Sequence, residues 1–246
     1  MRSVKMLPLM LSAWIVMAAP AFAFDQADVD TCNHAYSSAD HVAAIEACTH
    51  LVGQLDNDNN AKILRLRGLA YRANMQLSEA IADASESIRL KPSSAAYQDR
   101  GASYDLRNEF ALAIADFTAA IALAPKQFNH YDARCQARAQ ANIELDQALA
   151  DCNMAINLAP VSTLYGSRGL VYLRMGRLQD ALADYDRACA SPPLSAFAFY
   201  GRGVVKIRLG DKGGGETDIK TAEAMYPTLI IPSVDKRFAS WGITPQ

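Results

Sequence analysis

Beyond its first 23 residues this 246-residue chain has no apolar run long enough to cross a bilayer, which takes about 20 consecutive residues. It has no excess of positive charge, since 24 Lys and Arg stand against 26 Asp and Glu. A general nucleic-acid binder needs a basic face to displace counterions from phosphate, so that class is excluded. There is no His-Glu-x-x-His, no Gly-x-Ser-x-Gly elbow, no phosphate loop and no Cys-x-x-Cys-His. The one glycine run, Gly213-Gly214-Gly215, has no strand beside it and reads as a turn. Carboxylates are scattered over helix surfaces rather than paired. The expectation is a protein that is not an enzyme, with no cofactor and no metal. Low-complexity tracts are absent too, and 51% of residues are hydrophobic, ample for a continuous core.

The two ends carry signals of their own. Arg2 and Lys5 precede an apolar run from Met6 to Ala19, and Ala21-Phe22-Ala23 supplies the small residues of a cleavage site. Residues 1–23 are therefore expected to be a signal peptide, leaving a periplasmic or secreted protein without stable membrane insertion. Loss of Arg2 and Lys5 leaves 22 basic residues against 26 acidic ones, a mature charge of −4. At the other end, Val234, Phe238 and Trp241 suit a short amphipathic helix covering whatever precedes it.

What the chain has in abundance is repetition. Arg67-Gly68, Arg100-Gly101, Arg134-Cys135, Arg168-Gly169 and Arg202-Gly203 recur at spacings of 33, 34, 34 and 34 residues. Within 61–93, Leu64, Arg67, Gly68 and Tyr71 recur at helical spacing, a break follows at 74–78, and the pattern resumes until Lys91-Pro92. Apolar residues three and four apart share a helix face, and Pro cannot continue a helix, so each period predicts a pair of antiparallel helices. Small residues such as Gly68 and Ala80 let the two axes approach. Further units are predicted over 94–127, 128–161, 162–195 and 196–229, the third with one extra residue in its inner turn. Residues 24–60 read as a degenerate extra pair, with Asp56 to Asn60 as a polar linker, and 230–246 as a capping helix and tail.

This pattern of small, aromatic and Pro columns closely resembles the tetratricopeptide repeat family over roughly Ala61 to Pro227. The resemblance implies an all-α fold, a right-handed superhelical solenoid whose concave groove binds a partner's peptide or surface. One repeat cannot bury its own apolar face, so neighbours are expected to share a single unbroken hydrophobic seam.

Two charged columns run through the repeats. Arg67, Arg100, Arg134, Arg168 and Arg202 form one, and Asp83, Asp116, Asp151, Asp184 and Asp218 the other. The degenerate pair has Thr31 and Ala47 there, so both charges vanish together. That covariation within one chain predicts structural ion pairs, each Arg meeting an Asp in its own repeat or the next, and setting helix register. In the resembled family the columns holding Cys32 and Cys48, and again Cys135 and Cys152, face each other across the helix pair. In an oxidising compartment this implies two disulfides, each closing a short loop worth about 3 kcal/mol in the chain-entropy model, with Cys189 free. A metal site from Cys32, His34, Cys48 and His50 is disfavoured, because residues two apart on a helix point about 200° away from each other. His41 and His130 read as surface residues.

The resemblance also places a partner-binding groove on the first helix of each pair. It comprises Lys62, Arg65, Leu69, Arg72, Gln98, Asp132, Gln136, Leu170, Arg174, Phe197, Tyr200, Val204 and Arg208, with Ala102, Asp105 and Leu106 beside Gln98. Its basic N-terminal part and apolar C-terminal part imply a protein or peptide partner with acidic and apolar residues, and no nucleic acid. Leu69 and Asp99 stand where the family's carboxylate clamps need polar or basic groups, which argues against that activity. The alternative is a scaffold subunit or homo-oligomer of an envelope assembly, served by Cys189 and the patch around Phe197 and Tyr200. An accessory to a catalytic partner is a third reading.

Overall fold

The computed structural model describes residues 26–34, 40–190, 192, 194–225 and 234–245; the expected signal peptide and Pro227 lie outside them. The described residues form thirteen α-helices and no strand. A short pair, α1 (Gln26–Asn33) and α2 (His41–Leu51), comes first. Five longer pairs follow: α3 (Asn57–Ala73) with α4 (Leu77–Leu90), α5 (Ser94–Leu106) with α6 (Phe110–Leu123), and α7 (Phe128–Ala141) with α8 (Leu145–Leu158). Then come α9 (Ser162–Arg174) with α10 (Leu178–Ala190), α11 (Ala196–Arg208) with α12 (Lys212–Met225), and a last short helix, α13 (Val234–Ser240).

Capping chemistry sets where several helices begin. Asp56 accepts from the Asn59 backbone N–H, and Ser93 from that of Ala96, each satisfying a donor that the helix cannot. The segment 56–60 is thus the first turn of α3 rather than a linker. At the other end of the chain, Asp211 Oδ1 accepts from Gly214 N at 2.9 Å and draws the three glycines into α12 instead of a loop.

Each inner turn needs a left-handed residue, and Met75, Asn108, Gly176 and Gly210 supply it in four pairs. The third pair, with its extra residue, uses two, Asn142 and Glu144. Close axis approach is met by Gly203 against Gly215: a Cβ on Gly203 would lie 2.7 Å from the Gly215 carbonyl oxygen.

The curvature follows from which helices meet. First helices of successive pairs touch one another, α3 with α5, α5 with α7, α7 with α9 and α9 with α11, whereas successive second helices do not. First helices therefore line the inner, concave side of a solenoid of helix pairs. The apolar core does not form one unbroken seam. It falls into three clusters: one around Cys32, Cys48 and Ile63, a small one around Phe117, and a large one from Cys135 to Ile243. Between the first two, α3, α4 and α5 bury mainly alanines and a polar contact in which Ser87 Oγ donates to the Ala61 carbonyl.

Candidate functional site

The Arg and Asp columns meet on the flank of the stack, away from the concave surface. Arg67 Nε and Nη2 each lie 2.7 Å from the two Asp83 oxygens. The same fork closes Arg100 on Asp116 at 2.8 Å, Arg134 on Asp151 at 2.7–2.8 Å, Arg168 on Asp184 at 2.6–2.9 Å, and Arg202 on Asp218 at 2.7 Å. Every pair is within its own repeat, and the aspartates are buried. Sequence reasoning missed where the third guanidinium nitrogen goes. Nη1 reaches back to the preceding pair, onto Thr49, Ser85, Thr118, Asn153 and Asp186 in turn, at 2.8–3.2 Å. These residues sit two positions beyond the Asp column. Each Arg thus ties three helices together, and its hydrogen bonds to Asp raise the pKa of Arg67, Arg100, Arg168 and Arg202. The ladder spends its charge internally and offers none to a ligand.

Cys32 pairs with Cys48 and Cys135 with Cys152, at Cα separations of 4.9 and 5.5 Å. His50 Nδ1 sits 3.0 Å from Asp28 Oδ2 and His34 bonds the Asp30 carbonyl, so neither histidine joins the cysteines. Among the described residues no group of three or more His, Cys, Asp or Glu is placed to hold a metal ion, and no helix is long and apolar enough to cross a membrane. Cys189 is unpaired, and burial pushes its thiol up to about 11, so it is protonated at neutral pH.

On the concave face two arginines of the expected basic N-terminal part are engaged by a single carboxylate. Arg65 Nη1 donates to Asp99 Oδ2 at 2.9 Å, and Arg72 Nη1 lies 3.7 Å from the other oxygen. Asp99, read from sequence only as an obstacle to a clamp, is the partner of both. Burial raises its pKa against the pull of Arg72 and Arg65. Next to it is an open cavity of about 330 Å³, lined by Arg65, Gln98, Asp99, Gln127, Asn129 and His130 among others. His130 is buried rather than on the surface. Its Nδ1–H donates to Gln98 Oε1 at 2.8 Å, while its Nε2 is enclosed without a partner, and burial lowers its pKa.

Two further acids lie along the same face. Gln136 Nε2 donates to Asp132 Oδ2 at 2.8 Å, but Asp132 Oδ1 is enclosed and unpartnered, as is Asp105 Oδ1. Burial pushes each carboxyl up to about 6. The amide of buried Gln140 makes no hydrogen bond of good geometry, though it lies close enough to Asp105 to pull that carboxyl's pKa down against burial. Lys62 remains exposed at the N-terminal edge.

The C-terminal half of the expected groove is not open. Leu170, Tyr200 and Val204 there are buried, as is Leu69 in the N-terminal part, against the expectation that they line a free surface. Part of the cover is the chain itself. Phe238 of α13 stacks 4.7 Å from the Tyr200 ring and 5.0 Å from Phe197, and Trp241 packs 6.1 Å from Phe197. Arg174 Nη2 donates to the Trp241 carbonyl at 2.5 Å, and Arg208 Nη2 to that of Thr244 at 3.0 Å.

One family model, Tetratricopeptide repeat, matches residues 162–193. No curated protein matches the chain. Among solved structures it is similar to a tetratricopeptide repeat protein from Parabacteroides merdae ATCC 43184, at 17% identity and TM-score 0.53, covering 88% of this chain and 98% of that one. It is also similar to TTC0263, a thermophilic TPR protein of Thermus thermophilus, at 17% identity and TM-score 0.63, covering 75% and 100%. A third is YrrB, described as a TPR protein with an unusual peptide-binding site, at 18% identity and TM-score 0.53, covering 76% and 96%. These identities speak to fold alone. Five Arg-Gly-type helix pairs in register, a family match on the fourth and a shared architecture give this chain the fold of tetratricopeptide repeat proteins.

Proposed function

We propose that this protein is a non-catalytic interaction module of the cell envelope that binds a partner peptide or protein surface on its concave face. One observation carries the reading. Buried polar atoms without partners gather on the first helices of the second and third repeats: Asp105 Oδ1, His130 Nε2, Asp132 Oδ1 and the Gln140 amide. Buried polar groups are normally satisfied, and each one left unmet costs about 1–3 kcal/mol. A row of them on one concave surface is what a bound peptide's donors, with an acceptor for the Gln140 Nε2–H, would relieve. The acids among them, with Arg65 and Arg72 already engaged by Asp99, favour a ligand with hydrogen-bond donors or cations over an acidic one. Export through the residues 1–23 leader fits the two disulfides, which persist in oxidising compartments.

The reading is tested by cross-linking capture from intact cells of the source, comparing wild type with Gln98→Ala and Asp132→Asn. Loss of the captured species with both variants, at unchanged helix content, is the expected result. Equal capture by all three would refute the groove.

A further inference from the structure

The segment 234–245 lies where a partner is expected to lie, and this is more than the end of a solenoid requires. A cap need only cover the open side of the last pair. α13 does pack on α11 and α12, but the residues after it reach two first helices, α9 and α11, and through Arg174 a third. Arg174, on α9, holds the Trp241 carbonyl while also donating to the Ala139 and Gln140 carbonyls at the end of α7. Arg208, at the end of α11, holds Thr244. Both contacts read main-chain carbonyls, so they would accept the same backbone from another sequence.

Side chains supply the selectivity. Phe238 is fully buried between the Phe197 and Tyr200 rings, and Trp241 and Ile243 are buried beside it. Gly242 turns in the left-handed region at φ +70°, and Ile243 N–H donates back to the Phe238 carbonyl at 2.9 Å, so the helix and the residues that leave it form one compact unit. Arg237 lies over the Trp241 ring at 5.4 Å. Across a gap of about 130 Å³ it shares walls with Asp105, Leu106 and Met75, on the first two repeats' inner turns and helices. Asp105 thus shares this gap with the segment's cations, and the charge of Arg237 pulls its pKa down against burial.

Resting on the interaction-module reading, we propose that the concave face is a receptor for a partner segment of the pattern basic–aromatic–x–x–aromatic–x–aliphatic, and that Arg237-Phe238-Ala239-Ser240-Trp241-Gly242-Ile243 occupies it as an internal surrogate. A partner segment must displace the chain's own end, which holds the free protein in a self-occupied state and lowers its apparent affinity by the fraction occupied.

The test uses a fluorescein-labelled peptide of residues 234–245 and the full chain, read by fluorescence anisotropy. A Phe238→Ala/Trp241→Ala chain should bind the peptide at least about ten-fold more tightly than wild type does. Asp105→Asn in that opened chain should weaken binding, and a peptide with both aromatics changed to Ala should bind neither chain. Equal binding by wild type and opened chain, or none by an opened chain of native helix content, overturns the proposal. If the opened chain does not fold, hydrogen exchange on wild type decides: excess native peptide, but not the alanine peptide, should speed exchange at the Trp241 and Ile243 amides. No acceleration overturns the proposal. Should the peptide fail while capture still depends on Gln98 and Asp132, the surrogate falls and the interaction module stands; if capture is also indifferent to those residues, both fall.

Discussion

At the scale of single residues, two kinds of buried charge have opposite consequences. Each ladder arginine bonds through all three nitrogens of a planar fork, tying three helices together. Lysine at position 100 could not bond Asp116 twice and still reach Ser85. Arg100→Lys should therefore lower the melting temperature, and Asp116→Ala should lower it further, at a cost of about 3–5 kcal/mol in stability, because a guanidinium is left unpaired. Arg100→Met/Asp116→Leu should cost less than Asp116→Ala alone; thermal denaturation of the three variants checks the order. Asp132 is the converse. Its pKa in the fold, about 6, stands above the unfolded value of 3.8, so the fold holds the proton more tightly. Stability from this group is full below about pH 4 and is lost as pH rises to about 6. Asp132→Asn should raise the melting temperature near neutral pH, by about 2–4 °C for each kcal/mol relieved, with no gain near pH 4. The same change should weaken partner capture, a trade of stability for binding. The Arg and Asp columns were legible because one residue type recurs in each. The third column was not, because Thr, Ser, Asn and Asp alternate there and share only an oxygen acceptor.

At the scale of elements, turn geometry separates glycines that look alike in sequence. Gly176 sits at φ +72° with open space around it, so any cost of a side chain there is backbone strain. Gly213 lies in the first turn of α12, also in open space, without a positive φ. Gly176→Ala should destabilise by about 1–2 kcal/mol, whereas Gly213→Ala should stabilise by about 0.4–1 kcal/mol. Chemical denaturation of the two variants gives the signs, and equal effects would contradict this assignment. The helices themselves were readable from periodicity and Pro, and the third pair's extra residue announced a longer turn. The glycine run at 213–215 misled because glycine alone signals a turn; the cap from Asp211 decides otherwise. The last helix was legible as amphipathic, but periodicity shows that a helix has an apolar face, not what that face meets.

At the scale of the whole molecule, sequence identified a stack and overstated its uniformity. Each pair rests on its neighbours, so local packing differences are not averaged over a common core. The C-terminal half concentrates the large buried side chains, Tyr185, Leu170, Val204 and Phe238 among them, while α3 to α5 rely on alanines and the ion-pair ladder. Tyr185 shows how tightly the dense half is built: a Cβ on Gly201 would fall 2.3 Å from its ring. The concave surface differs along its length in the same way, with unmet polar atoms over α5 and α7 and a self-contact on aromatics over α11. Groove residues taken from the family's pattern fell on the right helices, yet the pattern could not tell that Leu170 and Val204 would be sealed or that Asp99 would engage two arginines.

The account turns on the concave side being the surface that receives a partner. A photo-activated cross-linking residue placed at Gln98, on that side, and separately at exposed Leu112 on a second helix, examines this directly in cells of the source. Adducts to a discrete partner from position 98 and none from position 112 are the predicted result; adducts confined to position 112, or identical at both, would contradict it.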